Sequence, residues 1–393
     1  MKVLFLTYDV PYPLNSGGKI RAYYLIKYLA RKHKITLFSY YRYEEQKKYF
    51  AELKKYCQEV FLFKRRKPWV WQNFAYSFLT FLPFLSAIYY SNELKKALVE
   101  ELKKEKYDLV HFESFYPAVY LPLVKKMGIK TIMGNENIEW RVYDRYASQQ
   151  FFPLSWLLKL EVWRMRIYEE AIWRVADVNI APAKDDALEI EKITKKDCPI
   201  VPNGVDLGSV RVWQKKSGPP TIIFVGTMIY QQNNDAVRYF LKEIYPKIKK
   251  QISQVKFILV SWHKPSWLDK FLTDSSIEFI QDKEKPAWEF FKKADVLVVP
   301  TRIAGGTRIK ILEAMAAGLP VVSTKIGIEG IETNSGRGVI VADGPEDFAE
   351  KTVVLLKSKA RRIKIGLFGR KLVEKLYDWK KIGEKLNKIY EKA

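Results

Sequence analysis

The chain has 393 residues, enough for two or three ordinary domains, and 48% of them are hydrophobic, enough for two cores. Two cysteines, Cys57 and Cys198, with three histidines exclude a disulfide framework and a zinc constellation, and they point to a reducing compartment. A net charge of +24 admits an anionic membrane, a nucleic acid or a phosphorylated substrate as partner, although a Lys-rich solvated face gives the same figure.

In chain order, residues 3–7 are an apolar strand, too short a run for a signal peptide. The loop ending in Gly17-Gly18 leads into a helix reaching Lys32. A strand over 35–40, a helix over 44–56 and a strand over 60–63 follow. Residues 1–67 carry 16 Lys/Arg against 5 Asp/Glu, a surplus that residues 68–200 do not continue, with 18 of each. The run Lys64-Arg65-Arg66-Lys67 opens an aromatic stretch over 69–90. Its length approaches a membrane span, but Gln72, Asn73, Ser77, Thr80, Pro83 and Ser86 interrupt it, and a span would separate strands of one sheet. Two readings remain. One is an interfacial anchor in which Arg65, Arg66, Trp69 and Trp71 meet a membrane or a lipid-linked acceptor. The other is a lid or core helix beside an acceptor pocket. Residues 151–158 are a second apolar stretch suited to the same surface.

A helix over 92–106, strands over 109–113 and 131–134, a long amphipathic helix over 155–175 and a strand over 178–181 complete the first half. Ser217-Gly218-Pro219-Pro220 has linker composition. The pattern restarts with strands over 221–225, 257–260, 277–280, 296–299, 321–323 and 338–341. Strands alternating with helices predict parallel, doubly wound sheets.

The most telling local motif is Gly305-Gly306-Thr307-Arg308-Ile309-Lys310-Ile311-Leu312-Glu313. It lies between the apolar strand 296–299 and the helix stop at Gly318 and Pro320. Strand, glycine turn and helix start make an anion site from free N–H groups and the positive helix end. Thr307 is placed to cap the helix, Arg308 and Lys310 add two cations, and Glu313 suits the paired hydroxyls of a ribose. A nucleotide, with a sugar nucleotide as one natural choice, answers that description. Alternatively, Lys310 and Glu313 simply pair with each other at i,i+3. Gly226 and Thr227, at the end of strand 221–225, permit close approach of a ligand to backbone, or form a plain turn.

This segment resembles the donor-binding signature of the family 4 retaining glycosyltransferases. Val201-Pro202-Asn203-Gly204, Phe224-Val225-Gly226-Thr227, Asn233-Asn234-Asp235, Gly327-Ile328-Glu329-Gly330 and the first loop through Gly17-Gly18 are similar to that family in the same order. The resemblance implies an α/β chain of the GT-B fold, with two Rossmann-like domains facing a cleft. Residues 1–200, joined by a C-terminal helix over 376–393, would bind the acceptor. Residues 201–375 would bind the donor. It implies a retaining, metal-independent hexosyl transfer from a nucleotide-diphosphate sugar to a glycan or lipid-linked acceptor, in cell-surface polysaccharide or glycoconjugate synthesis. The co-substrate is the nucleotide sugar, with no cofactor besides. The enzyme would be cytoplasmic, peripheral on the cytoplasmic face of the membrane. The chain has no Asp-x-Asp, which argues against the manganese-dependent alternative architecture.

The chain departs from the family pattern in three places. Gly305 stands where the first of two signature glutamates would be, while Glu313 matches the second. After Gly226 the family often has an arginine and then a lysine, where this chain has Thr227, Met228 and Gln231. Glu113 and Glu136 occupy the strand ends where many relatives carry a cleft histidine. Either carboxylate would accept the acceptor's proton or hold its hydroxyl; equally, both would be loop residues paired with Arg141 or Arg145. His111 reads as a structural histidine. A sugar-nucleotide epimerase of the same fold is one rival. A basic nucleic-acid-binding protein with a degenerate cleft is another, and it lacks any recognisable nucleic-acid motif.

Overall fold

A computed structural model describes every residue except 213–216, 284, 304–305 and 334–337, so Gly305 lies outside the described residues. The chain divides into two units, residues 1–202 with 382–393, and residues 203–381.

In unit 1 the first βαβ turn runs from β1 (Lys2–Thr7) through α1 (Gly17–Leu29) to β2 (Lys34–Tyr41). Then come β3 (Glu59–Lys64), α2 (Trp71–Thr80), β4 (Leu109–Glu113), β5 (Lys130–Gly134), α3 (Leu154–Val175) and β6 (Val178–Ile180). The six strands are parallel, in the order β3-β2-β1-β4-β5-β6. The central strands are apolar on both faces because helices cover both, as in Val3–Leu6 of β1, which are almost fully buried.

Unit 2 repeats the plan with β7 (Thr221–Val225), α4 (Gln231–Tyr239), β8 (Lys256–Ser261), β9 (Ile277–Gln281), β10 (Val296–Val299), α5 (Ile309–Ala316), β11 (Val321–Ser323) and β12 (Val339–Val341). Its order is β12-β11-β10-β7-β8-β9, again parallel. Both sheets are therefore doubly wound with the same strand order. The order reverses between β1 and β4 in one sheet and between β7 and β10 in the other. Loops leaving such a reversal point diverge, and the crevice at the strand C-termini is where open α/β sheets bind ligands.

The last helix, Trp379–Lys392, packs its C-terminal part into unit 1. Gly383 lets it approach the Tyr28 side chain of α1, where an added Cβ would collide. The Asn387 amide meets His33 at 2.9 Å, and the Tyr390 hydroxyl meets His111 at 2.7 Å.

Three local expectations need correction. The helix expected over 44–56 is a 3-10 turn, Glu44–Tyr49, followed by one short helix, Phe50–Lys54. The Gln46 side chain is the reason: it accepts from the backbone N–H of Arg42 and Tyr43 and donates to Asp9, tightening the start. The aromatic stretch is not one helix. It breaks after Thr80, where Phe81 is left-handed (φ 58°), and restarts as Phe84–Ala87 beyond Pro83. Thr307 does not cap α5; Arg308 takes the N-cap position, with no side-chain cap hydrogen bond. The Thr307 hydroxyl turns away to the carbonyl of Gly330, at 3.4 Å.

Candidate active site

The unit 1 site forms around the first glycine pair. Gly17 and Gly18 are the first residues of α1, not loop residues. A Cβ on Gly18 would run into the Tyr8 hydroxyl and lie 2.8 Å from both carboxyl oxygens of Glu136. A bare glycine lets the helix start this close to both side chains without displacing them. The Tyr8 hydroxyl hydrogen-bonds the Glu136 carboxyl, yet its buried Oε1 has no hydrogen-bond partner among the described residues. Burial pushes this carboxyl up to about 8, helped by the neighbouring negative charges of Glu113 and Glu139. At neutral pH Glu136 is therefore largely a neutral acid, able to donate as well as accept.

Glu113, the other candidate base, has different surroundings. It is fully buried and both oxygens are taken, one by Arg21 Nε at 2.6 Å and the other by His111 Nε2 at 2.7 Å. Burial alone would raise its pKa, but the Arg21 charge and the His111 contact outweigh burial and hold it below the usual value. With Glu113 accepting at Nε2, Nδ1 of His111 accepts from the Tyr390 hydroxyl. Arg21 also donates to the carbonyl of Val201 at 2.8 Å. Both Glu113 oxygens are thus engaged, and its negative charge helps keep Glu136 protonated. Neither glutamate pairs with Arg141, which binds Glu189 at 2.9 Å.

The unit 2 site sits at the reversal between β7 and β10. Lys310, in the first turn of α5, points its ammonium back to the end of β7. Nζ donates to Asn233 Oδ1 at 3.0 Å and lies 4.3 Å from the Phe224 ring centre. A Cβ on Gly226 would come within 2.6 Å of that ammonium and 3.0 Å of the Asn233 amide. Gly226 thus lets the Lys310 and Asn233 side chains come close to its backbone. Asn233 and Asn234 fasten the loop after β7 by donating to the carbonyls of Thr227 (2.9 Å) and Met228 (3.0 Å). Thr227 contributes backbone to this loop.

Arg308 folds its guanidinium onto the carbonyl of Gly306, whose φ of +67° suits glycine. Burial lowers Lys310 to about 7, with Arg308 adding repulsion and Glu313 opposing it. Burial raises Glu313 to about 7, and Lys310 opposes that rise. The two do not form an ion pair with each other: the ammonium engages Asn233 instead. The chemistry is that of an anion seat, with a cation, an uncapped helix start and a carboxyl one turn away.

Four residues in these sites carried no assigned role in the sequence: Tyr8, Arg21, Asn233 and Tyr390. Tyr8 directly follows β1, and Asn233 lies within the family-like Asn233-Asn234-Asp235 run, so position alone pointed to both. Nothing local pointed to Arg21 or Tyr390. Arg65 is half-buried and donates to the Tyr89 hydroxyl at 3.0 Å, Arg66 is half-buried beside it, and Trp69 and Trp71 are exposed.

Comparison with known proteins places this arrangement. Residues 15–209 match the model of Glycosyltransferase Family 4, and residues 219–358 match that of Glycosyl transferases group 1. An uncharacterized 44.6 kDa protein in the cps region of Klebsiella pneumoniae is 21% identical over 97% of both chains. Sucrose-phosphate synthase from Thermosynechococcus elongatus superposes with a TM-score of 0.73 at 15% identity, covering 100% of this chain and 98% of that one. Anabaena HepE, solved in complex with UDP-glucose, superposes with a TM-score of 0.68 at 12% identity over 100% of each chain. With two doubly wound parallel sheets, and with family models matching both halves in order, the chain belongs to the family 4, group 1 glycosyltransferases of the GT-B fold.

Proposed function

We propose that this glycosyltransferase is retaining and metal-independent, and that it moves a sugar from a nucleoside-diphosphate donor to a glycan or lipid-linked acceptor in cell-surface polysaccharide or glycoconjugate synthesis. The carrying observation is the Lys310 ammonium, held by Asn233 over the bare backbone of Gly226 at a sheet reversal. Only one of its three N–H donors is used there, which leaves two for a diphosphate. Arg308, the backbone at Gly306 and Thr307, and the start of α5 add to the positive seat. Glu313, one turn along, suits the ribose hydroxyls.

In the transfer, the bond from the anomeric carbon to the diphosphate oxygen breaks and a bond to the acceptor oxygen forms on the same face. The acceptor proton passes to the departing phosphate oxygen, so no protein nucleophile is required. Charge developing on that oxygen is offset by Lys310 and Arg308 without reorganisation. A neutral Glu136 fits this scheme, because a carboxyl that keeps its proton orients the acceptor hydroxyl rather than removing its proton. The UDP-glucose bound by HepE makes that donor the first probe.

A thermal-shift panel of UDP, GDP, ADP and their sugars tests the reading. One nucleotide sugar should raise the melting temperature, and Lys310→Ala should remove the shift. A panel with no stabilising nucleotide refutes the assignment.

A further inference from the structure

Unit 1 carries an apolar face that neither candidate site uses. Two segments far apart in sequence build it. Trp69 (81% exposed), Trp71 (73%), Phe78 (84%) and Leu79 (82%) stand out on and just before α2. On α3, Trp156, Leu160, Trp163 and Ile167 are also exposed. Their spacing of four, three and four residues makes one stripe along the helix.

The two elements are fastened together. Arg164 of α3 donates to the carbonyls of Ser77 (2.8 Å) and Leu82 (2.6 Å), closing the end of α2. Glu161 accepts from the N–H of Phe84. The Phe81 ring meets Trp163 edge-on at 6.0 Å. Phe81 holds a left-handed backbone that glycine adopts more easily, and it spends that conformation on an exposed ring. Contiguous apolar surface of this kind marks an interaction site.

A basic run leads into α2 along the chain. Lys64-Arg65-Arg66-Lys67 ends two residues before Trp69, with Lys64 and Lys67 exposed and Arg65 and Arg66 half-buried, and neither arginine forms an ion pair among the described residues. Arg65 Nε is buried without a hydrogen-bond partner there. No described helix is long and apolar enough to cross a membrane. Exposed aromatic rings next to a basic run suit the boundary between acyl chains and anionic headgroups. A second copy of this chain suits it poorly, because a two-fold contact would press two Lys64–Lys67 runs together at a net charge of +24 per chain.

We propose that α2 and α3 form a docking face that seats in the leaflet of an anionic bilayer, with lipid phosphates taken by Arg65 and Arg66. From Arg65, a run of rings leads toward the candidate active site. Its guanidinium lies 5.4 Å from the Tyr89 ring, which packs on Tyr116 (5.0 Å) and Tyr8 (6.4 Å), and Tyr8 touches Glu136. The proposal deepens the acceptor part of the proposed function, and rests on it only for this last connection. The acceptor class it names is a saccharide carried on a lipid phosphate.

The test is flotation of the full chain with phosphatidylcholine vesicles, with and without phosphatidylglycerol. The variants are Trp71→Ser/Phe78→Ser/Leu79→Ser and Arg65→Ala/Arg66→Ala. The wild type should float with the anionic vesicles. The triple variant should lose about tenfold or more of that binding, with its melting temperature and UDP-glucose affinity unchanged. The arginine variant should lose the preference for phosphatidylglycerol. A wild type that stays at the bottom overturns the proposal. So does a triple variant that floats like the wild type, or a wild-type dimer that the triple variant abolishes while neither floats. Floating protein that binds no nucleotide sugar leaves this face standing and removes the proposed function instead.

Discussion

Replacing Lys310 by alanine is the sharpest perturbation of the donor site. The ammonium is held by one neutral hydrogen bond, 3.0 Å to Asn233, and by the Phe224 ring, so most of its charge is free to act on a ligand. Truncating one partner of a buried charged contact costs about 2–5 kcal/mol. Taking about 3 kcal/mol, Kd for UDP-glucose should rise roughly 150-fold. The pH dependence is the more discriminating readout. Free Lys310 titrates at about 7. A bound diphosphate stabilises the cation, so its pKa rises in the complex, and binding takes up a proton above pH 7. Affinity should therefore fall as pH rises, with Kd increasing about 50-fold between pH 7 and 9 provided the bound pKa stays above that window. UDP-glucose is the proper ligand, because its diphosphate does not titrate in this range. Calorimetry in two buffers of different ionisation enthalpy reads both Kd and the proton uptake. Glu313 is raised to about 7 by burial and titrates nearby, so the series is repeated in Glu313→Gln, which should keep the slope. A wild-type Kd flat from pH 6.5 to about 9, or a Lys310→Ala Kd within about threefold of wild type, refutes the reasoning.

Other outcomes follow from the same geometry. Gly226→Ala places a methyl 2.6 Å from the ammonium and should weaken UDP-glucose binding about tenfold or more by calorimetry, with little change in melting temperature. Glu136 keeps its proton up to about 8, so at saturating donor kcat should fall above that pH, whereas Glu136→Gln should keep its activity there; an unchanged alkaline limb in the variant counts against the neutral-carboxyl role. Glu113→Gln removes a buried carboxylate charge that Arg21 pairs with and should cost about 3–5 kcal/mol in a denaturant titration. Because the folded pKa of Glu113 is depressed, its stabilisation is present above the unfolded carboxylate range and is lost as pH falls through the folded value. The wild type should thus lose stability on acidification, and Glu113→Gln should lose less. Tyr390→Phe removes one hydrogen bond to His111 and should cost about 1 kcal/mol in the same titration.

What the sequence determined by itself is local. Parallel strands covered on both faces must be apolar runs, so 221–225 and 296–299 were legible as strands, with a glycine turn after each. Gly226 and Lys310 stood out as candidates because each lies in a segment between a strand and the helix that follows it. Tertiary structure decided the partnerships. Arg21 and Glu113 lie 92 residues apart, and Lys310 and Asn233 lie 77 apart. Periodicity reports only which face of an element is buried, never which side chain meets it there. For that reason two glutamates at equivalent strand ends read alike in sequence, and only their surroundings separated them. A guanidinium and an imidazole saturate Glu113, while Glu136 is left against a tyrosine and a bare glycine. The same holds for the apolar stretches near 70–80 and 154–167, whose separate hydrophobicity was plain, but whose union into one face depends on an arginine reaching across between two helices.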